Sequence, residues 1–393
     1  MFIHYIYISK KISRIKFSIY ISSIFIFIIF FSCQSNSKNN NKTTEEVIPN
    51  KNAKGFSIIK NKTFKKVIVK NPWQGAQQIS FDYYFISKKN SVPDSIKNNI
   101  IIRTPVSRII CLSTTHASMI SRIGESSTIA GIAGTNYIVS TELRKLISEK
   151  KIIDVGYDNN LNYETIISLK PEVVIVYGIG SEAMQIITKL KDLNIPSVIN
   201  AEYLEEDVLA KAEWIKFISL LYEKENTAEE IFNEIENEYN NLKLKVAGIE
   251  KKPNVINGLP WKGTWWVAGG RSYMAQLIND AGGNYLWKKN NSRESIPLNL
   301  ENIIMKSSEA DVWINCGAAN SKKEILSVDD RISQLQIFHK EIYNNNAIQN
   351  INGGNDFWES GVMNPHLILK DLIFIFHPDI LPEHKLVYYK KIL

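Results

Sequence analysis

Three tryptophans crowd into the short run Trp261-Lys262-Gly263-Thr264-Trp265-Trp266, and so many large rings beside a glycine and a lysine cannot all be core. Flat aromatic faces suit a large planar or macrocyclic molecule, and Lys262 or the nearby Arg271 can pair with its carboxylates. The pattern is one of holding rather than bond-making. Trp261, Trp265 and Trp358 are expected to face a cleft, while Trp266, running into Val267, suits a core as well as a cleft. No Gly-x-Ser-x-Gly, His-Glu-x-x-His or phosphate-binding loop occurs in the chain, so the usual nucleophile elbow, metal pair and phosphate cradle are missing. Glu359, beside Trp358, is the nearest approach to a catalytic acid in an aromatic setting. A lipid-anchored hydrolase using it, and a surface lipoprotein whose tryptophans meet another protein, are the two rival readings.

The elements that would position these residues are legible as short apolar strands alternating with helical stretches, the grammar of parallel α/β units. Strands are expected at 109–112, 129–132, 173–177 and 197–199, with helices at 115–123, 140–149, 163–169 and 181–193. Ligand-facing loops leave the C-terminal ends of such strands. Thr115 and His116 follow the first strand and Tyr177 ends the third, while the tryptophan run occupies the equivalent place in a second lobe. From 205 to 246 there is neither Pro nor Gly, and the apolar spacing predicts one long helix bent near Glu223. Beyond Pro253 the alternation resumes, with strands at 255–259 and 312–315 and helices at 272–280, 300–307 and 364–376. The expected fold is α/β: two Rossmann-like α/β lobes, 106–204 and 249–393, bridged by a single long α-helix at 205–248. A small β-rich N-terminal extension at 55–105 precedes them.

The segment from Met1 to Cys33 holds a basic stretch (Lys10, Lys11, Arg14, Lys16), an apolar run from 19 to 31, and Phe30-Phe31-Ser32-Cys33. That order is an export signal, and the run is short for the roughly 20 residues a spanning helix needs. Residues 1–32 are therefore expected to be a signal peptide, Cys33 to carry a palmitate-type lipid, and 33–54, rich in Asn, Ser, Lys and Thr, to be a flexible tether. The expected location is periplasmic, anchored to a membrane. Loss of the four leader cations lowers the formal net charge from +7 to +3. No basic run interleaved with aromatics remains to bind nucleic acid. Cys111 and Cys316 each close an apolar strand in a different lobe, which suits two buried free thiols better than a disulfide. His366 and His377 share a helix face only loosely and have no further ligand pair nearby, so neither a closed metal site nor a resident cofactor is expected.

One unit occurs twice. Asn162-Tyr163-Glu164-Thr165-Ile166-Ile167 and Asn299-Leu300-Glu301-Asn302-Ile303-Ile304 stand one in each expected lobe, each leading into an apolar strand. In each, Asn can cap the helix and the glutamate sits in the first turn, where the helix dipole favours it. Either glutamate alone is simply a good first-turn residue. As a pair, one per lobe, they can dock on a symmetric two-subunit partner carrying matched arginines. With the Ala268-Gly269-Gly270-Arg271-Ser272-Tyr273 turn, the Asp280-Ala281-Gly282-Gly283-Asn284 helix ending and the closing Pro365-His366-Leu367-Ile368, these motifs give residues 106–393 a resemblance. The chain resembles the iron-complex and cobalamin binding proteins of ABC importers, periplasmic binding proteins whose two lobes are joined by a rigid long helix. The resemblance implies a monomeric, non-enzymatic receptor that captures a ferric siderophore or haem, or alternatively cobalamin, for an inner-membrane permease dimer. Glu164 and Glu301 would then pair with arginines of its two subunits. Thr115, His116, Tyr177, Trp261, Lys262, Trp265, Arg271 and Trp358 become the candidate ligand contacts. His116 is a candidate axial iron ligand, although a first-turn histidine is more often a neighbour of the cap. Lys262 and Arg271 favour an acidic iron complex over a corrin.

Overall fold

The computed structural model describes residues 45–157 and 160–393; the expected signal peptide, Cys33 and the first part of the tether lie outside the described residues. The chain first builds a five-stranded sheet from β1 (Glu46–Ile48), β2 (Phe56–Lys60), β3 (Lys65–Lys70), β4 (Ser80–Ser87) and β5 (Ile100–Thr104). Its strands run in sequence order, antiparallel except for the parallel β4–β5 pair. The two-residue period of β3 buries Val67 and Val69 and turns Lys66 out towards Asp82. Part of the polar stretch expected to be tether belongs to the fold. Two distant carboxylates explain this: the backbone N–H groups of Lys51, Asn52 and Ala53 donate to Glu213 at 2.7–2.8 Å, and those of Lys54 and Gly55 donate to Glu205. Gly55 is required there, since a Cβ would lie 2.8 Å from the Trp214 ring.

The next sheet holds β6 (Ile109–Cys111), β7 (Ile129–Ile132), β8 (Ile153–Asp154), β9 (Val173–Val176) and β10 (Ser197–Ile199). Its order is β10-β9-β6-β7-β8 with every pair parallel. β9 is buried along its whole length, as a parallel strand covered on both faces must be. Helices Thr114–Arg122, Thr141–Ser148 and Tyr163–Ser168 start on the side-chain oxygens of Ser113, Ser140 and Asn162, which accept first-turn N–H groups.

The run expected to form one long helix forms three: Val208–Glu213, Ile215–Ser219 and Glu225–Val246. The chain breaks at Trp214 and again around Glu223, whose φ of 57° is left-handed. Only the last segment is long, 22 residues or about 33 Å at ~1.5 Å per residue. It starts beside the first sheet, where Glu225 pairs with Lys65, and reaches the second lobe, where Tyr239 donates to Asp280 at 2.9 Å.

The second lobe contains β11 (Asn254–Asn257), β12 (Pro260–Trp261), β13 (Thr264–Val267), β14 (Asn284–Tyr285), β15 (Ile296–Leu298), β16 (Val312–Ile314), β17 (Glu341–Asn344) and β18 (Lys390–Lys391). β14-β11-β16-β17-β18 form one sheet, parallel except at β18, and β12-β13-β15 form a small antiparallel one. One core runs from Val67 through Ile110 and Phe217 to Ile235 and Leu372, and a second, around Trp265, Trp313 and Ile256, lies within the second lobe. Cys111 and Cys316 are buried free thiols. Residues 350–359 cross back to the first lobe. Glu359 accepts the backbone N–H groups of Val139 at 2.6 Å and Ser140 at 2.9 Å, and the Asn350 amide donates to the carbonyls of Asn136 and Ile138. Among the described residues no helix is long and apolar enough to cross a membrane.

Candidate ligand-binding cleft

A cavity of 520 Å³ opens where the C-terminal ends of β10, β11 and β16 converge, with Tyr203, Lys211, Trp266, Arg271, Tyr273 and Trp358 among its lining. A second, of 410 Å³, lies at the ends of β6 and β9 against Leu112, Tyr177, Ile179 and Glu182. Tyr203 stands at the divide, its hydroxyl donating to the Gly178 carbonyl at 2.7 Å. A larger space of 1060 Å³, beneath the N-terminal sheet, shares Gln74, Glu206, Arg271 and Arg293 with the cleft. Its further lining, including Lys54, Lys70, Asp207 and Gln276, is mostly polar. The exposed faces of Trp266 and Trp358 line the smaller cleft between the lobes, which is therefore the better candidate for a large aromatic-held ligand.

The tryptophan run resolves by strand geometry. β12 and β13 form a hairpin in which Trp261 pairs with Thr264 and Pro260 with Trp265. The turn residues Lys262 and Gly263 both have positive φ, 51° and 79°, the two-residue connection that matches strand twist. Residues facing one way, Trp261 and Trp266, are exposed; those facing the other, Pro260, Trp265 and Val267, are buried. Trp265 is thus core and not a cleft contact. It packs on Trp313 with ring centroids 5.4 Å apart, and its indole N–H donates to the Asn257 carbonyl. Trp266, for which core and cleft were left open, lines the cleft in place of Trp265. Trp261 and Lys262 lie at the hairpin tip, the ammonium 4.5 Å from the Trp261 ring centre, and neither lines the cavities described above.

Trp358 faces the cleft and is exposed. Arg271 lines it too, but is already paired with Glu206 at 2.9 Å, and Arg293 approaches the same carboxylate at 3.5 Å. Tyr177 lines the neighbouring cavity. Thr115 donates its hydroxyl to Glu202 at 2.9 Å. His116 is fully buried, edge-on to Tyr177, with the Ile175 carbonyl near but outside hydrogen-bonding geometry. Burial pushes its imidazole down to about 3, so it is neutral and shielded where an axial ligand would need to be open. Glu359 is likewise consumed, buried against two N–H donors rather than presented to a substrate. Its carboxyl is raised by burial. Among the described residues no cluster of three or more His, Cys, Asp or Glu is placed to hold a metal.

Lys211, Arg293 and the Gln74 backbone of the N-terminal extension were not singled out from the sequence. Lys211 sits on a six-residue helix within what reads as continuous helix. Gln74 is tied to the first lobe by its N–H, which donates to the Ile179 carbonyl at 3.1 Å.

The paired motifs adopt the same local structure. Asn162 accepts the Thr165 N–H and Asn299 accepts the Asn302 N–H, both at 2.9 Å. Glu164 and Glu301 are exposed in the first turns that follow.

Several known proteins are similar to this chain in sequence or in fold. An uncharacterized lipoprotein of Methanocaldococcus jannaschii is 28% identical over 326 residues, 78% of this chain and 74% of its own length. A possible iron-binding (periplasmic solute-binding) protein of Staphylococcus epidermidis superposes with a TM-score of 0.53 at 20% identity, covering 69% of this chain and 98% of that one. A periplasmic haem-binding protein of Pseudomonas aeruginosa gives 0.55 at 13% identity, covering 73% and 98%. At these identities the likeness to the solved structures is one of fold. The periplasmic binding protein family model matches residues 109–335, spanning the first lobe, the bridging helices and most of the second, and the chain belongs to that family.

Proposed function

We propose that this protein is the extracytoplasmic receptor of an ABC importer, capturing an iron complex, a ferric siderophore or haem, in the cleft between its lobes and delivering it as a monomer to a permease dimer. The observation that carries this reading is the exposed pair Trp266 and Trp358 lining one 520 Å³ cavity with cationic side chains at the strand ends. The fold relatives named for iron and haem binding support the same ligand class. Exposed first-turn glutamates, one per lobe, support docking through Glu164 and Glu301. Attachment through a lipidated Cys33 is supported by the Phe30-Phe31-Ser32-Cys33 sequence and by the Methanocaldococcus relative being named a lipoprotein.

Cobalamin is the second reading. Arg271 is neutralised by Glu206 and Lys262 stands outside the cleft, which weakens the case for an acidic ligand made from those two residues alone. Titration of the full-length protein with haemin, ferric hydroxamate and catecholate complexes, and cyanocobalamin, followed by tryptophan quenching, tests the proposal. One of them is expected to saturate at one equivalent, and a flat response to all would sink it.

A further inference from the structure

Lys211 differs from every other cation at the cleft. It projects from the short Val208–Glu213 helix and lines the 520 Å³ cavity, its ammonium 4.4 Å from the centre of the Tyr273 ring. No carboxylate forms an ion pair with it among the described residues, and no hydrogen bond shapes its ionisation. The two nearest acids are committed elsewhere. Glu205 spends its oxygens on the Lys54 and Gly55 N–H groups and on the Trp214 indole. Glu202 is buried, bound to the Thr115 hydroxyl through one oxygen, and pushed towards its neutral form by that burial. The other charged groups of the cleft, Glu206, Arg271, Arg293 and Glu294, lie towards its mouth, where the arginines share Glu206. An ammonium drawn out of water with only an aromatic face for company is costly unless an anionic acceptor completes its shell.

We infer that Lys211 is the ligand-facing cation of this cleft and that it receives a carboxylate of the bound molecule, a role the mouth arginines are less free to take. The inference rests on the cleft being the ligand site, as proposed above. Its chemistry has a signature: burial pushes the Lys211 amine down to about 8, and a carboxylate docked against it favours the charged form. Binding at about pH 8.5 therefore takes up protons.

The test is calorimetry of the full-length protein at about pH 8.5 in buffers of different ionisation enthalpy, with haemin and ferric citrate as carboxylate probes and cyanocobalamin, which has no free carboxylate, as the contrast. Tryptophan quenching run in parallel reports binding itself. The expected result is proton uptake with a carboxylate probe that disappears in Lys211→Met. Affinity should fall about tenfold or more in that variant at pH 7 and be largely kept in Lys211→Arg, consistent with a charge-assisted contact. Quenching by a carboxylate probe with the same proton balance in wild type and Lys211→Met would overturn the inference and leave the receptor reading intact. Binding of cyanocobalamin or of a carboxylate-free ferric hydroxamate or catecholate alone would do likewise, and no quenching by any of these five ligand classes would remove both.

Discussion

Trp265 and Trp266 are neighbours in sequence and opposites in role, because a strand sends successive side chains to opposite faces. Trp265 closes the second core against Trp313; Trp266 faces the cleft. Trp265→Ala is expected to cost about 3–5 kcal/mol, as large ring deletions from a packed core do, measured by chemical denaturation. Trp266→Ala should change stability by no more than about 0.5 kcal/mol, as surface substitutions usually do. Glu359 makes a second residue-scale prediction. Removing its carboxylate takes the acceptor from the half-buried Val139 and Ser140 N–H groups, a loss worth about 1–3 kcal/mol in all where water replaces it only in part, so Glu359→Ala should destabilise by that amount. Burial raises the Glu359 carboxyl above its ordinary value of 4.5. The folded protein then holds that proton longer than the unfolded chain, so this group's contribution falls as pH rises from about 4.5 through the folded-state value. The wild type should lose stability relative to Glu359→Gln over that window, and a difference independent of pH would contradict the assignment.

Among the elements, those whose own pattern encodes them were legible, and those held by distant partners were not. β9 reads as a strand because Val173, Val174, Ile175 and Val176 are all apolar, and the helix at Tyr163 reads from its Asn162 cap. β8, two residues long, and the Lys51–Gly55 strap carry no such signal; the strap is fixed by Glu213 and Glu205, far along the chain. The bridging run turns near Glu223 as expected, but it separates there into distinct helices and breaks a second time at Trp214, because a run without Pro or Gly permits a helix without requiring one, and Trp214 and Phe217 are buried in the core on either side of that break. In the site, Trp358 and Arg271 were legible from composition. Lys211 was hidden within a helical pattern, and the burial of His116 and Trp265 depended on packing no local pattern reveals. Glu213→Ala should release the strap, seen as faster amide exchange at Lys51, Asn52 and Ala53 with the central sheets unchanged; unaltered exchange there would refute the latch. The two Asn-capped first turns predict that Glu164→Ala with Glu301→Ala leaves ligand affinity intact and abolishes uptake in cells, and normal uptake would rule out docking through them.

Across the whole molecule, three ties limit how far the lobes can part. The Glu225–Val246 helix runs from the N-terminal sheet to the second lobe, the principal core runs through both lobes, and residues 350–359 fasten the second lobe to the Asn136, Ile138, Val139 and Ser140 backbone of the first. Consecutive carboxylates at the junction hold different bodies: Glu205 the N-terminal strap, Glu206 the arginines of the second lobe, and Asp207 both its own helix start and Gln276. Such ties predict little hinge closure on binding, so X-ray scattering curves with and without ligand should nearly superpose, and a marked contraction would contradict it. The proposed function requires a large ligand held between the lobes on Trp266 and Trp358. Its most direct test is equilibrium titration of the wild-type protein and the Trp266→Ala, Trp358→Ala double variant with haemin, ferric siderophores and cyanocobalamin. One-to-one saturation of the wild type by one of them is expected, with a loss of affinity of at least about tenfold in the variant, in keeping with two aromatic contacts. Equal affinity in both proteins would place the ligand elsewhere and contradict it.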